Sequence, residues 1–259
     1  MASLPENMYP IVFENVSKTY GPKIALQDIS LSIVRNKTTA IIGPSGSGKS
    51  TLLQLINGLI RPDSGEIYVF GNKIDYNSLP KLRRGIGYAV QGTGLFPHLS
   101  VEKNITLLAI LEKWQPERIR TRVTDLMNLV NLPLSFSDRY PHELSGGEQQ
   151  RVGLCRAMML NPNIFLLDEA FGALDPITRS EIHCEFLKLQ KSQARTTVLV
   201  THDLREAFKL ADHIVIINEG KIEQSSEPKD ILENPATHFV EYFVHTQLED
   251  DVFKQPRET

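Results

Sequence analysis

Cysteine is scarce in this sequence: two residues, Cys155 and Cys184, in a chain of 259. Both fall in segments with helical spacing, so no disulfide framework is expected and a reducing compartment suits the chain better. Charge of one sign is missing too. Lys and Arg total 28 against 31 Asp and Glu, a formal net charge of −3, which excludes the basic footprint of a nucleic-acid binder. No run approaches the roughly 18 consecutive apolar residues of a membrane span. The opening MASLPENMYP has neither Lys nor Arg and no apolar stretch, so it does not read as a secretory signal. The expectation is a chain soluble by itself that works at a membrane only through a partner. What is present is ordinary globular composition, 41% hydrophobic and 23% charged, which argues against disorder. At roughly 150 residues per domain, the length allows one large domain or a core with an insertion.

Four apolar runs, 39–42, 164–167, 197–200 and 214–217, barely alternate, and most are rich in β-branched residues. That composition suits strands covered on both faces, as in a parallel sheet. Other apolar residues recur at helical spacing: Leu204, Ala207, Phe208 and Ala211; Ile182, Phe186 and Leu189; Val152, Cys155 and Met159. Strand and helix in alternation predict an α/β fold with a mainly parallel sheet. Residues 92–160 break the rhythm with helix after helix, about 101–111, 116–130 and 146–160. They read as a helical subdomain inserted into the core. Residues 1–35 and 67–70 read as extra strands of an N-terminal antiparallel subdomain. The domain therefore runs over 11–245, and 246–259 form a polar tail that frays.

The strongest motif is Gly43, Pro44, Ser45, Gly46, Ser47, Gly48, Lys49, Ser50, followed by Thr51. It fits G-x-x-x-x-G-K-[ST] and lies between a strand and a helix expected over 51–59, where a phosphate loop must sit. Glycines let the backbone wrap around phosphate oxygens with its N–H groups inward. The helix behind presents its positive end to the same anion. Lys49 adds a point charge for the β- and γ-phosphates, and the Ser50 hydroxyl is a hard ligand for Mg²⁺. The alternative, a glycine-rich turn without a ligand, is disfavoured by the strand–loop–helix context. A second element is the apolar run that ends in Asp168 and Glu169. Ligands of open α/β sheets bind at the carboxyl ends of strands. Asp168 there can hold the Mg²⁺ bound by Ser50, and Glu169 can polarise a water for in-line attack on the terminal phosphate.

Many P-loop enzymes share these parts, and Leu144, Ser145, Gly146, Gly147, Glu148, Gln149, Gln150, Arg151 distinguishes among them. Together the motifs resemble the ATP-binding cassette (ABC) ATPase family, whose signature is LSGGQ, in the family's order from about residue 11 to 235. By its residues alone the segment is also a helix start, with Ser145 as N-cap and Glu148 three positions on. Two glycines in the first turn are poor helix chemistry, but they leave backbone N–H groups open to an outside phosphate. The resemblance implies which phosphate: the γ-phosphate held by the other subunit of a head-to-tail homodimer. Glu148 stands where the family carries Gln, and a carboxylate near ATP is unfavourable unless it turns back on its own cap. The resemblance further implies that Tyr20 stacks on adenine, against the alternative of a core or surface tyrosine. It gives Gln91 contact with Mg²⁺ and water, His202 contact with the γ-phosphate, and Asp175 a place across the dimer interface, where a helix N-cap is the other reading.

The implied activity is ATP hydrolysis in a two-subunit sandwich that needs ATP and Mg²⁺. Leu95 and Phe96, just after Gln91, are candidates for a groove that takes a helix of a membrane subunit, or for internal loop packing. A small-molecule kinase is disfavoured by the signature and by Glu169. A soluble cassette acting on DNA or ribosomes is disfavoured by the absence of long heptad runs and of a nucleic-acid footprint. Residues 86–91 with 94–98, and residues 167–176, look most like importer cassettes of the osmoprotectant group, for glycine betaine, carnitine or choline, with proline, amino-acid and polyamine importers as neighbours. The implied partners are integral membrane permease subunits and, indirectly, a substrate-binding protein. The implied location is peripheral, on the cytoplasmic face of the cell membrane. Too few residues follow His202 for the C-terminal regulatory domain, such as paired CBS modules, that many members carry, so ionic-strength sensing through that module is not expected.

Overall fold

The computed structural model describes residues 8–249 other than 91, 93 and 193. Its elements in chain order are β1 (Ile11–Tyr20), β2 (Lys23–Ile33), β3 (Thr38–Ile42), α1 (Lys49–Ile56), β4 (Ser64–Val69), β5 (Asn72–Lys73), α2 (Leu79–Arg84), β6 (Ile86–Ala89), α3 (Val101–Leu111), α4 (Pro116–Leu129), α5 (Gly146–Met158), β7 (Ile164–Asp168), α6 (Pro176–Ser192), β8 (Thr196–Val200), α7 (Leu204–Leu210), β9 (His213–Asn218), β10 (Lys221–Ser226), α8 (Pro228–Glu233) and α9 (His238–Glu249). They fall into two compact units, one made of residues up to 79 with those from 198 on, the other of residues 80–197. No helix among the described residues is long and apolar enough to cross a membrane.

The first unit holds an antiparallel sheet in the order β2-β1-β4-β5. Phe13 of β1 faces Leu31 of β2 on one side and Ile67 of β4 on the other, and all three are buried. The same unit pairs β3 with β9 in parallel, Thr39 opposite His213 and Ile42 opposite Ile216, while β10 runs antiparallel to β9. Every residue of β3 is buried, as its unbroken apolar and β-branched run predicts. Ala40, Ile42, Ile214 and Ile216 pack with Leu204 and Ala207 of α7, Ile231 of α8, and Val240 and Val244 of α9. Truncating one of these fully buried isoleucines to alanine would cost about 2–5 kcal/mol.

The second unit pairs β6 with β7 in parallel, Ile86 opposite Ile164 through Ala89 opposite Leu167. All five residues of β7 are buried. Helices α3, α4 and α5 pack on one another, with Val101 and Ile105, Leu126 and Met127, and Val152 and Cys155 in their shared core. Cys155 is fully buried, and burial pushes its thiol up to about 12. It and exposed Cys184 are both free thiols, so no disulfide joins them.

Three boundaries differ from the sequence reading. Helix α1 starts at Lys49 rather than 51, because Gly48 at φ 108° already turns the chain into it, and it stops at Ile56. The N-terminal strands are longer than their apolar runs, since antiparallel pairing extends through polar residues facing water. Helix α9 continues to Glu249, past the point where the polar tail was expected to begin.

Candidate functional site

In the first unit, β3 leads through residues 43–48 into α1. Two glycines of this turn cannot be replaced without moving backbone. A Cβ on Gly43, at φ 149°, would lie 2.0 Å from the Ile217 carbonyl oxygen, and one on Gly48 2.4 Å from that of Ala25. Ser45 and Gly46 form the exposed crown, and Pro44 is half-buried beneath them. The Lys49 side chain is buried and folds back, its ammonium donating to the carbonyl oxygens of Gly43 at 2.9 Å and Pro44 at 2.8 Å. Ser47 is buried as well, and its Oγ has no hydrogen-bond partner. Ser50 and Thr51 occupy the first turn of α1, which carries no acidic residue and no side-chain cap at Gly48. The loop is thus a backbone cradle with a tethered cation and an unsatisfied hydroxyl, features that suit an anion.

The same unit carries Tyr20 and His202. Tyr20 ends β1 and is 47% exposed, which excludes a core role. The Lys18 ammonium lies 5.6 Å from the ring centroid and 2.8 Å from Asp63. Asp63 also accepts from the backbone N–H and the hydroxyl of Thr19, each at 2.7 Å. The bond from Lys18, then those from Thr19, hold the Asp63 carboxyl down to about 2. This brace fixes the strand end that presents Tyr20. His202 is exposed in the short turn between β8 and α7. Asp203, the N-cap of α7, accepts from the backbone of Arg205 at 2.9 Å and Glu206 at 3.2 Å, and that cap sets where His202 leaves the strand.

In the second unit, Asp168 closes β7 and is buried, and the Tyr88 hydroxyl donates to its carboxylate at 3.3 Å. Burial foremost, then the Asp168 charge, push the Tyr88 phenol well above its ordinary value, so it remains a donor. Glu169 follows in a left-handed conformation, φ 49°. A non-glycine residue holds this region at a cost of about 1–3 kcal/mol, so its surroundings must enforce it. Its carbonyl oxygen accepts from the Gly172 N–H at 3.2 Å and from Gln150 Nε2 at 3.1 Å, while Gln150 Oε1 accepts from the Ala173 N–H at 3.1 Å. Buried Gln150 therefore staples α5 to the loop that carries Glu169 and leads to Asp175. The sequence reading gave it no role. The available signal was its place on the buried stripe of α5, with Gly153, Leu154 and Ala157, where an amide needs partners.

The signature segment is a capped helix start. Leu144 is buried, and Ser145 is the N-cap whose Oγ accepts from the Glu148 N–H at 3.3 Å. The Glu148 carboxylate turns back to accept from the Ser145 N–H at 2.7 Å. That bond is the main reason its carboxyl sits below the usual range. Gly146 is exposed with open space around it, and a Cβ on Gly147 would meet Leu174 at 3.5 Å. Asp175 is exposed and accepts from the Thr178 N–H at 3.0 Å, the geometry of the N-cap reading. Gln150 thus ties the helix of the signature turn to the loop from Glu169 to Ala173. Gln91 lies outside the described residues. Leu95 is half-buried and Phe96 exposed, and the Phe96 backbone is pinned by both ends of the Asn104 amide, at 2.8 and 3.1 Å. Among the described residues no three His, Cys, Asp or Glu side chains cluster as a metal site, so a cation here would rely on other oxygens.

Comparison with known proteins agrees with these motifs. A family model described as ABC transporter matches residues 26–172. The choline transport ATP-binding protein OpuBA of Bacillus subtilis is 49% identical, over 90% of this chain and 62% of its own length. The glycine betaine uptake system ATP-binding protein YehX of Escherichia coli is 46% identical, over 90% of this chain and 76% of its own. The carnitine transport ATP-binding protein OpuCA of Listeria monocytogenes, 49% identical, is matched over 59% of its length, so the chain spans about six tenths of OpuBA and OpuCA. Among solved structures, an ATP-binding cassette in a dimeric post-hydrolysis state with ADP and Pi superposes with TM-score 0.79 at 35% identity, covering 84% of this chain and 98% of that one. A phosphate loop, a strand ending in paired carboxylates and a glycine-led capped helix, in this order and with these relatives, place the chain in the ABC transporter family.

Proposed function

We propose that this chain is the ATP-hydrolysing subunit of an importer for a small quaternary-amine osmoprotectant such as glycine betaine, carnitine or choline. It would act from the cytoplasmic face of the membrane, bound to integral permease subunits that a substrate-binding protein serves. The solute class rests on the relatives named for those compounds. The reaction rests on one observation above others: a glycine cradle that tethers the Lys49 ammonium through the Gly43 and Pro44 carbonyls and buries the Ser47 hydroxyl without a partner. An entering polyphosphate supplies acceptors to both. Residues 11–245 form the ATPase domain in this reading, with 92–160 as its inserted helical part.

Tyr20 offers its exposed ring to adenine. Lys49 and the loop N–H groups bind the β- and γ-phosphates. Ser50, Asp168 and Gln91 supply the oxygens that suit Mg²⁺, and the ion, when bound, would neutralise phosphate charge. Glu169, locked by Gln150 and Gly172, orients the attacking water, and His202 steadies the γ-phosphate. Residues 144–148 of a second copy close the site from outside, and Asp175 lies at that seam. Phosphoryl transfer needs positioning and charge more than covalent help, so these roles suffice. ATP would join two copies head to tail, and hydrolysis would let them part, a population shift that drives the permease. The test is steady-state ATPase activity of the wild type and of Glu169→Gln. Turnover should be lost while ATP binding persists; a variant hydrolysing near the wild-type rate would remove Glu169 from its role. Membrane subunits that co-purify with the chain should transport glycine betaine, carnitine or choline in vesicles, and transport of none of them would overturn the solute class.

A further inference from the structure

The second unit contains a cavity of about 610 Å³ that none of these roles uses. Its wall includes Trp114, Arg118 and Arg122 and Asp125 of α4, Asn161 ahead of β7, and Arg195 ahead of β8. Asp168 closes the other end of β7. The five residues of that strand set its two ends about 13 Å apart, so the cavity is separate from the carboxylates of the proposed ATP site.

Its described wall carries three guanidiniums and one carboxylate. Arg118 stacks on Trp114, its guanidinium carbon 3.5 Å from the ring centroid. Arg122 donates to the Met158 carbonyl oxygen at 2.8 Å, and its Nε is buried with no hydrogen-bond partner. Arg195 is buried and donates to the Asn161 side-chain oxygen. Among the described residues Arg118 and Arg122 form no ion pair. Burial holds the Arg122 and Arg195 guanidiniums below their ordinary values. The nearby Asp125 works the other way on Arg122, while Arg118 repels Arg122, and Arg122 in turn repels Arg195. Partly buried like charges with a donor left over are costly until an anion joins them. Guanidinium forks match the oxygens of phosphate, and the volume is that of a site for a molecule of nucleotide size.

We infer that this cavity is a second binding site, distinct from the phosphate loop, for a phosphate-bearing small anion gripped by Arg122 and Arg195 beside Trp114. Trp114 is the sole tryptophan of the chain, so its fluorescence reports occupancy directly. The experiment titrates the full chain carrying Lys49→Ala, which weakens the phosphate loop, with pyrophosphate and with inorganic phosphate at constant ionic strength. The expected result is a saturable change in Trp114 emission for pyrophosphate. Arg122→Gln should weaken it at least about tenfold, the loss of one charge-assisted contact. Asp125→Asn, an exposed substitution that removes the only carboxylate among the described residues of the wall, should tighten it about threefold. If Arg122→Gln fails to fold by circular dichroism, Asp125→Asn alone decides. No saturable change, the same change with matched chloride, or an Asp125→Asn titration that coincides with its parent would overturn the assignment.

Discussion

Gly146→Ala should make the protein more stable and less active. Gly146 is the first residue of α5, it is exposed, and apart from its chain neighbours and the backbone of its own helix nothing lies within 4 Å of where its Cβ would go. Its backbone is not among those with positive φ. Alanine is therefore tolerated, and its lower backbone entropy in the unfolded chain favours the folded state by about 0.5–1 kcal/mol. For a chain of this size that raises Tm by about 1–4 °C. Activity should move the other way. The capping box uses the N–H groups of Ser145 and Glu148 and leaves those of Gly146 and Gly147 for an outside acceptor. In the proposed dimer a methyl group beside them would hold the partner's phosphate off, and one charge-assisted hydrogen bond is worth about 1.5–3 kcal/mol, roughly 10- to 100-fold in rate. Scanning calorimetry and steady-state ATPase on the same preparation read both effects. Unchanged turnover would mean that no phosphate approaches this turn. A lowered Tm would mean that the glycine is kept for packing. Either result refutes the reasoning.

Gln150→Ala removes the staple between α5 and the Glu169 loop and leaves the Glu169 carbonyl and the Ala173 N–H short of a partner. It should cost about 1–3 kcal/mol of stability and lower kcat about tenfold or more with KM for ATP nearly constant; a change confined to KM would contradict the positioning role. Asp63→Asn tests the brace beside Tyr20 through pH. The folded carboxyl lies at about 2, below its ordinary 3.8, so its contribution is full above about pH 4 and disappears as pH falls toward 2. The Tm gap between wild type and Asp63→Asn should be widest near pH 6 and close by about pH 2, and a gap independent of pH would remove the brace.

The parts of the site that were legible in the sequence are those built from contiguous residues. The phosphate loop announces itself because cradle, cation and helix start are successive positions, and Asp168 follows from an apolar strand that ends in acids. The capping box of Ser145 and Glu148 is equally local, and the structure supplies the detail that relieves the Glu148 charge. Long-range arrangements were not legible. The left-handed Glu169 depends on Gln150, nineteen positions earlier, and one-dimensional spacing does not show that an amide on α5 faces a loop after β7. The cavity arginines are spread from α4 to the start of β8 and have no common motif. For Tyr20, exposure could be decided only once the antiparallel register of β1 was known. The fold class followed from periodicity. The strand lengths did not, because antiparallel pairing recruits polar residues that carry no apolar signal.

The central claim is that nucleotide is held between two copies of the chain, and it is tested most directly by the mass of the ATP-bound species in analytical ultracentrifugation. Glu169→Gln with Mg²⁺ and ATP should sediment as a dimer and return to monomer when the nucleotide is removed, whereas adding Ser145→Arg to that variant should leave it monomeric with ATP bound. A dimer that forms as readily with Ser145→Arg, or a Glu169→Gln protein that binds ATP and stays monomeric at every concentration, would contradict the account.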